Sequence, residues 1–243
     1  MRYRIDFSYD GTLFNGYQVQ PKLRTIQKCL EDAVSYLNGQ KKTQVVSSGR
    51  TDKGVHALRQ TAHFDLEENI TLDKIKRGLN SNLPEDIHII SVKKVKDDFH
   101  ARYYVKRKEY IYKINLGEYN PLERNYIYQY NRKLNIEKMK EAIKYFEGTH
   151  DFTSFVSSED ERENKVRTIF ETNIKLKKNI LEISFIADGF MKYQVRNMVG
   201  LLLDIGKERK EISDVKKIID GKDRKLSSKT ASPVGLYLKK VNY

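Results

Sequence analysis

RYRIDFSY, residues 2–9, decides how the chain starts and sets the pattern for the rest. Tyr3, Ile5, Phe7 and Tyr9 alternate with Arg2, Arg4, Asp6 and Ser8. A period of two with aromatic and branched residues on one side predicts a half-buried strand, polar on its other face, which the pair Asp10-Gly11 ends as a turn. Downstream, Ile26, Leu30, Ala33, Val34 and Leu37 recur at helical spacing over 26–38, with Thr25 as N-cap and Gly39 as stop. Strands are predicted over 43–48 and 61–66, a helix near 72–80 closed off by Pro84, and a strand over 87–95. The order is β-α-β-β-α-β, the split βαβ or ferredoxin-like arrangement.

The second half gives a similar order without a sequence repeat. Strands are predicted over 103–116, 167–176, 181–187 and 235–241, and helices over 136–146, 190–205 and 212–219. The expected fold class is α+β: two ferredoxin-like halves, residues 1–104 and 105–243, with antiparallel sheets flanking a basic central cleft.

Composition narrows the partners. The 46 Lys and Arg against 33 Asp and Glu leave a formal charge of +13, which favours phosphate-rich ligands through counterion release. Cys29 is the single cysteine, so a disulfide framework and a cysteine-based zinc site are excluded within one chain. The longest apolar run, Met198 to Leu203, is too short to span a bilayer, and the N-terminus lacks the apolar core of a signal peptide. A cytoplasmic location is the expectation. The five histidines have no metal-ligand spacing, and phosphate-binding and dinucleotide-binding glycine loops are absent. No metal, ATP, NAD or other cofactor is expected.

The stretch GRTDKGVHA, residues 49–57, sets a lone carboxylate, Asp52, among Arg50, Lys53 and His56. An aspartate beside glycine commonly hydrogen-bonds its own loop. Here two cations flank it, which favours the ionised form, and an ionised carboxylate can act as base or as nucleophile. Arg196, in FMKYQVRNMVG (190–200), is polar on a helix whose other face is strongly apolar. Its planar fork suits a carboxylate or phosphate, although a solvated arginine fits the spacing as well. Tyr110, in KEYIYKI (108–114), is a packing residue or a base-stacking one. His56 alone reads as a local hydrogen-bonding residue.

SGRTDKGVHA (48–57) closely resembles the catalytic motif of the tRNA pseudouridine synthase A family. The likeness continues through YDGTLFNGYQVQP (9–21), FHARYYVKRKEYIYKI (99–114), GTHDFTSF (148–155), VRTI (166–169), FMKYQVRNMVG (190–200) and ASPVGLYL (231–238), in order along the chain. The resemblance implies two ferredoxin-like halves and a homodimer. It also implies cofactor-free isomerisation of uridine to pseudouridine in the tRNA anticodon stem-loop, at positions 38, 39 and 40. Asp52 matches the family's nucleophilic aspartate, Tyr110 the tyrosine that stacks on the target base, and Arg196 the arginine that pairs with the aspartate. Arg50 matches an arginine that helps to flip the base out, and Lys53 and His56 join Arg50 and Tyr110 as expected substrate contacts. The aspartate's attack on C1′, attack on C6 and abstraction at C2′ all remain open. A catalytically silent RNA-binding module is the rival class: it accounts for the charge and the tyrosines, but not for a carboxylate that would repel phosphate.

Overall fold

The structure, a computed structural model, describes residues Met1–Tyr243 throughout. The protein is α+β. In chain order the first elements are β1 (Arg2–Tyr9), α1 (Ile26–Leu37), β2 (Val46–Ser47), β3 (His56–Asp65), α2 (Leu72–Asn82) and β4 (Ile87–Lys94). There follow β5 (Arg107–Asn115), β6 (Tyr128–Gln129), α3 (Ile136–Ile143), β7 (Gly148–Asp151), β8 (Val166–Lys177) and β9 (Ile180–Ala187). Helices α4 (Gln194–Gly206) and α5 (Asp214–Gly221) and strand β10 (Leu236–Asn242) complete the chain. Two compact units result: Met1–Lys106 with Tyr237–Tyr243, and Arg107–Leu236. Residues 237–243, expected in the second half, therefore belong with the first.

In the first unit β1 lies between β3 and β4, antiparallel to both, so that Ile5 faces Ala62 on one side and Val92 on the other. The far edge of β3 is shared: β2 pairs antiparallel at Ala62 and His63, and β10 parallel at His56 and Ala57. Tyr3, Ile5, Phe7 and Phe64 are buried as the alternation predicts, together with Ile26, Leu30 and Val34 of α1 and Ile75 and Leu79 of α2. Each fully buried side chain of this size contributes about 1.5–3 kcal/mol.

The polar side of β1 departs from the expectation of a solvated face. Asp6 is buried, and its carboxylate accepts from Arg4 and Arg59 at 3.0 Å, from the Thr61 hydroxyl at 2.8 Å and from Ser91 at 3.3 Å. Burial pushes its pKa up, but Thr61 and the two arginines outweigh that and hold it below the ordinary aspartate range. Part of the covering is the segment 97–104 with Tyr243. The Tyr243 hydroxyl donates to the Ala101 carbonyl at 2.7 Å, and its ring lies 4.4 Å from the Arg4 guanidinium.

In the second unit β9 lies between β5 and β8, antiparallel to both, with β7 outside β8 and β6 parallel to β5. Helix α4 is buried on nearly every side, its run from Met198 to Leu203 being wholly without charged side chains. At Gly206 it meets Met139 of α3 so closely that an added Cβ would fall 2.6 Å from the sulfur.

Several element ends differ from the periodic reading. β3 starts at His56 rather than Thr61, because a bulge between Phe7 and Tyr9 carries the pairing down to Ala57. β2 keeps only Val46 and Ser47 of the six residues 43–48. β5 starts at Arg107 because residues 100–104 form a turn, with the Tyr104 N–H on the His100 carbonyl at 3.1 Å. α4 starts at Gln194, not Phe190: Tyr193 has φ of +65°, and the Gln194 side chain accepts from the Met191 N–H at 2.9 Å.

His63, on β3, is buried under the 97–104 segment and accepts from the Ala101 N–H through Nδ1 at 3.1 Å. Burial first, then the Arg2 and His100 charges, push its pKa down to about 4. A depressed folded-state value means that the unfolded chain takes the proton first. The contribution is therefore complete above the unfolded histidine pKa of about 6.5 and is lost as pH falls from there through about 4. Urea melts over this window should lose roughly 2–3 kcal/mol to His63, and His63→Gln should flatten that part of the profile.

Candidate functional site

The Asp52 loop is built from its ends inward. Ser48 donates its N–H to the Thr61 carbonyl at 2.8 Å and its hydroxyl to the Gln60 side chain, fixing the entry. The Gly49 carbonyl accepts from Gln60 Nε2 at 3.0 Å and from the Ser47 hydroxyl at 2.9 Å. Thr51 is buried; its hydroxyl meets the Tyr9 hydroxyl at 2.8 Å, and its carbonyl accepts from the Tyr17 N–H at 3.1 Å. The Asp52 carbonyl then accepts from the Val55 N–H at 3.2 Å, closing a four-residue turn. Gly54 sits third in that turn at φ of +77°, where a side chain would be strained. The Asp52 carboxylate is half-exposed, between the exposed Arg50 and Lys53.

The support for this turn is backbone against backbone. A Cβ on Gly11 would fall 2.0 Å from the Val55 carbonyl oxygen. One on Gly16, at φ of +89°, would fall 3.0 Å from the Thr51 carbonyl oxygen and 3.3 Å from the Lys53 nitrogen. Both glycines belong to the stretch 10–17, which wraps the Asp52 loop. His56 holds the same stretch from beneath: it is buried, accepts from the Gly11 N–H through Nδ1 at 3.1 Å, and stacks on Tyr237 at 4.8 Å. Asp10-Gly11 was legible as a turn after β1; the contact of residues 10–17 with the Asp52 loop was not, since glycine spacing carries no address.

Tyr110 and Arg196 belong to the second unit, and Arg50, Asp52, Lys53 and His56 to the first. Tyr110 lies on β5 opposite Phe185, largely buried, with the Phe190 ring edge-on at 5.2 Å. Its ring is thus backed by other aromatics. Arg196, in the first turn of α4, is half-buried rather than splayed into solvent. Its Nε donates to the Ala231 carbonyl at 2.8 Å, the Ala231 N–H returns to the Arg196 carbonyl at 3.1 Å, and its guanidinium lies 5.0 Å from the Tyr193 ring. Gly200, one turn on, lets this segment approach, since a Cβ there would fall 2.0 Å from the Lys229 carbonyl oxygen.

Asn197, next to Arg196, was not singled out from the sequence. It is fully buried; its Nδ2 donates to the Phe155 carbonyl at 2.6 Å, and its Oδ1 accepts from Thr230 at 2.7 Å and Arg224 at 3.0 Å. Burial lowers the Arg224 pKa. The one legible signal was a polar residue on the apolar side of a helix. No group of three or more His, Cys, Asp or Glu is arranged to hold a metal ion, and no helix is long and apolar enough to cross a membrane.

A family described as tRNA pseudouridine synthase matches residues 7–104 and 142–243. Among curated proteins, tRNA pseudouridine synthase A of Streptococcus agalactiae is 46% identical over 245 residues, covering 100% of this chain and 95% of that one. The protein of the same name from Limosilactobacillus reuteri is 44% identical over 247 residues, covering 100% and 96%. That of a Geobacillus species is 42% identical over 243 residues, covering 100% and 98%.

Two substitutions test the scaffold. Gly11→Ala drives a methyl group into the Val55 carbonyl and should lower stability by about 1–3 kcal/mol in urea titration, with the Asp52 turn displaced. Asn197→Ala leaves the Phe155 carbonyl, Thr230 and Arg224 short of a partner and should cost about 1–3 kcal/mol, read as a drop in Tm.

Proposed function

The chain belongs to the tRNA pseudouridine synthase family and is an isomerase that makes pseudouridine in tRNA; we propose that it acts on uridines of the anticodon stem-loop, with Asp52 as the reacting carboxylate. The observation that carries this reading is the Asp52 turn itself. A carboxylate stands half-exposed between two exposed cations, on a loop clamped by Gly11 and Gly16. A reacting group held by backbone contacts keeps its position without ordering cost at the moment of reaction.

The reaction conserves atoms. The N1–C1′ bond of uridine breaks, the uracil turns, and a C5–C1′ bond forms. The proton on C5 leaves and a proton arrives at N1. Nothing is oxidised and no group is lost, so the residues needed are a carboxylate, a base-holding ring and a proton carrier. Asp52 attacks C1′ or C6, or takes the C2′ proton. Tyr110, backed by Phe190, stacks on the flipped uracil and assists proton transfer at C5. Arg196, anchored through Ala231, supplies the fixed cation that steadies the charged intermediate. Arg50 and Lys53 meet the RNA around the extruded nucleotide, whose unstacking costs roughly a few kcal/mol. His56 serves from beneath by holding Gly11. A homodimer working in the cytoplasm completes the reading.

The test uses unmodified tRNA transcript without added metal or nucleotide, with pseudouridine mapped by position. Wild type should modify the anticodon arm. Asp52→Ala and Asp52→Asn should lose roughly 10³-fold or more in rate while still binding tRNA. Turnover by Asp52→Ala would remove the carboxylate from the mechanism, and modification only outside the anticodon arm would overturn the substrate assignment.

A further inference from the structure

We propose that Tyr103 and His100 form a stacking platform for a base of the bound tRNA, outside the Asp52 loop. This rests on the reading of the chain as an enzyme acting on tRNA. Tyr103 is 75% exposed, among the most exposed large side chains of the molecule, yet it is not on a loose tether. One ring face lies on the His100 imidazole, with centroids 4.2 Å apart and planes at 26°; the other is open to solvent.

The imidazole beneath is fixed. His100 Nδ1 accepts from the N–H groups of both Arg102 and Tyr103 at 3.2 Å, and the His100 carbonyl accepts from the Tyr104 N–H at 3.1 Å. With Nδ1 committed as an acceptor, the ring is neutral and carries its proton on Nε2. Burial, Arg2 and Arg102 all lower its pKa, which keeps it so at neutral pH. The segment is tied to the sheet on both sides of His100. Arg2 donates to the Phe99 carbonyl at 3.0 Å, and Ala101 is gripped by His63 and Tyr243. Phe99 meets Tyr104 edge-on at 5.8 Å.

The chemistry of the surroundings selects the occupant. The exposed Asp97 and Asp98 lie before the platform, beside Arg2; from Phe99 to Lys106 there is no acidic residue, and Arg102 and Lys106 are exposed. An aromatic face with cations beside it suits a nucleotide, whose base stacks while its phosphate meets the charge. A second copy docking by the same patch would bring like charges together. Stacking on a ring face is tolerant of base identity, which fits an enzyme that must hold many tRNAs.

The test is filter binding of unmodified tRNA transcript to the full-length protein at several salt concentrations. Tyr103→Ala should raise Kd roughly 5- to 100-fold, the range expected for one lost base stack, with Tm unchanged. Tyr103→Trp should bind like wild type. The salt slope should be unchanged in Tyr103→Ala but fall by about one in Arg102→Ala, because only the second removes a phosphate contact. Ultraviolet irradiation of the wild-type complex should cross-link Tyr103 to RNA. Equal Kd for Tyr103→Ala and wild type would overturn the platform. Loss of self-association by Tyr103→Ala in sedimentation, with tRNA affinity kept, would overturn it in favour of a contact between copies. These readouts are independent of turnover: absence of pseudouridine with wild type would sink the functional reading, whereas an unchanged Kd sinks only the platform.

Discussion

The close approach of two backbones, at Gly11 and Gly16, fixes the Asp52 turn, on which the proposed chemistry rests. A side chain at Gly11 has no room, since the Val55 carbonyl oxygen stands where its Cβ would be. Contact at this range lets main-chain groups do what longer side chains would do loosely: Tyr17 donates its N–H to Thr51, and Gly11 donates its own to His56. The Asp52 turn therefore holds its charged side chains on a base with little freedom. Preorganisation of this kind shifts the entropic cost of positioning from the reaction to folding.

Both units also depend on a buried polar node whose partners come from distant parts of the sequence. Asp6 draws on Arg4, Arg59, Thr61 and Ser91, and so on three neighbouring strands. A slip of one residue in β1 would turn Asp6 toward the apolar core and bring Ile5 or Phe7 against the arginines, so the node and the alternation enforce one register. Asn197 likewise joins α4 to Phe155, Arg224 and Thr230. Asp6 and Asn197 are themselves buried, so each would be costly to leave without its partners. The second node adjoins Arg196, so the segment that grips this arginine is itself held at Thr230.

Periodicity made the element order legible, because burial of one face is what periodicity records. RYRIDFSY was readable as β1 for that reason, as were α1 and α2. What it could not convey was where a hydrogen bond overrides the pattern. Tyr193 in the left-handed region delays α4 by four residues past Phe190, and the turn at His100 delays β5 by four past Tyr103. Two-residue strands such as β6 are too short to have a period. Polar residues misled more than apolar ones: Asp6 fell on the polar face of an alternating strand, yet that face is covered. In the candidate site, the Asp52 loop stood out through its charge pattern, while Tyr110 and Arg196 were ordinary by spacing and drew their roles from resemblance. Gly11 was legible as half of a turn pair, but nothing in the sequence told which backbone would come near Gly11, Gly16 or Gly200. Tyr103 was read as the start of a strand and His100 drew notice only within FHARYYVKRKEYIYKI (99–114), because a ring stack depends on a turn that spacing does not encode.

A carboxylate at the heart of a cationic protein is consistent with both tasks because electrostatics acts over different ranges. At physiological ionic strength the screening length is about 8 Å, so exposed charges farther from Asp52 than that barely reach its carboxylate. Arg50 and Lys53 are its near neighbours in the sequence of the loop, whereas the wider excess of +13 acts mainly on the polyanion. Steering an RNA toward the surface depends on that wider field and weakens with salt. The isomerisation makes no lasting demand on it: one proton leaves C5 and one arrives at N1, with no net change of charge. Charge that accumulates does so only transiently and locally, where a few oriented groups in a dry site outweigh many distant ones. The long-range field can therefore be tuned for RNA by lysines spread over the surface, while the proposed chemistry rests on the few residues that a rigid loop and an anchored helix hold in place.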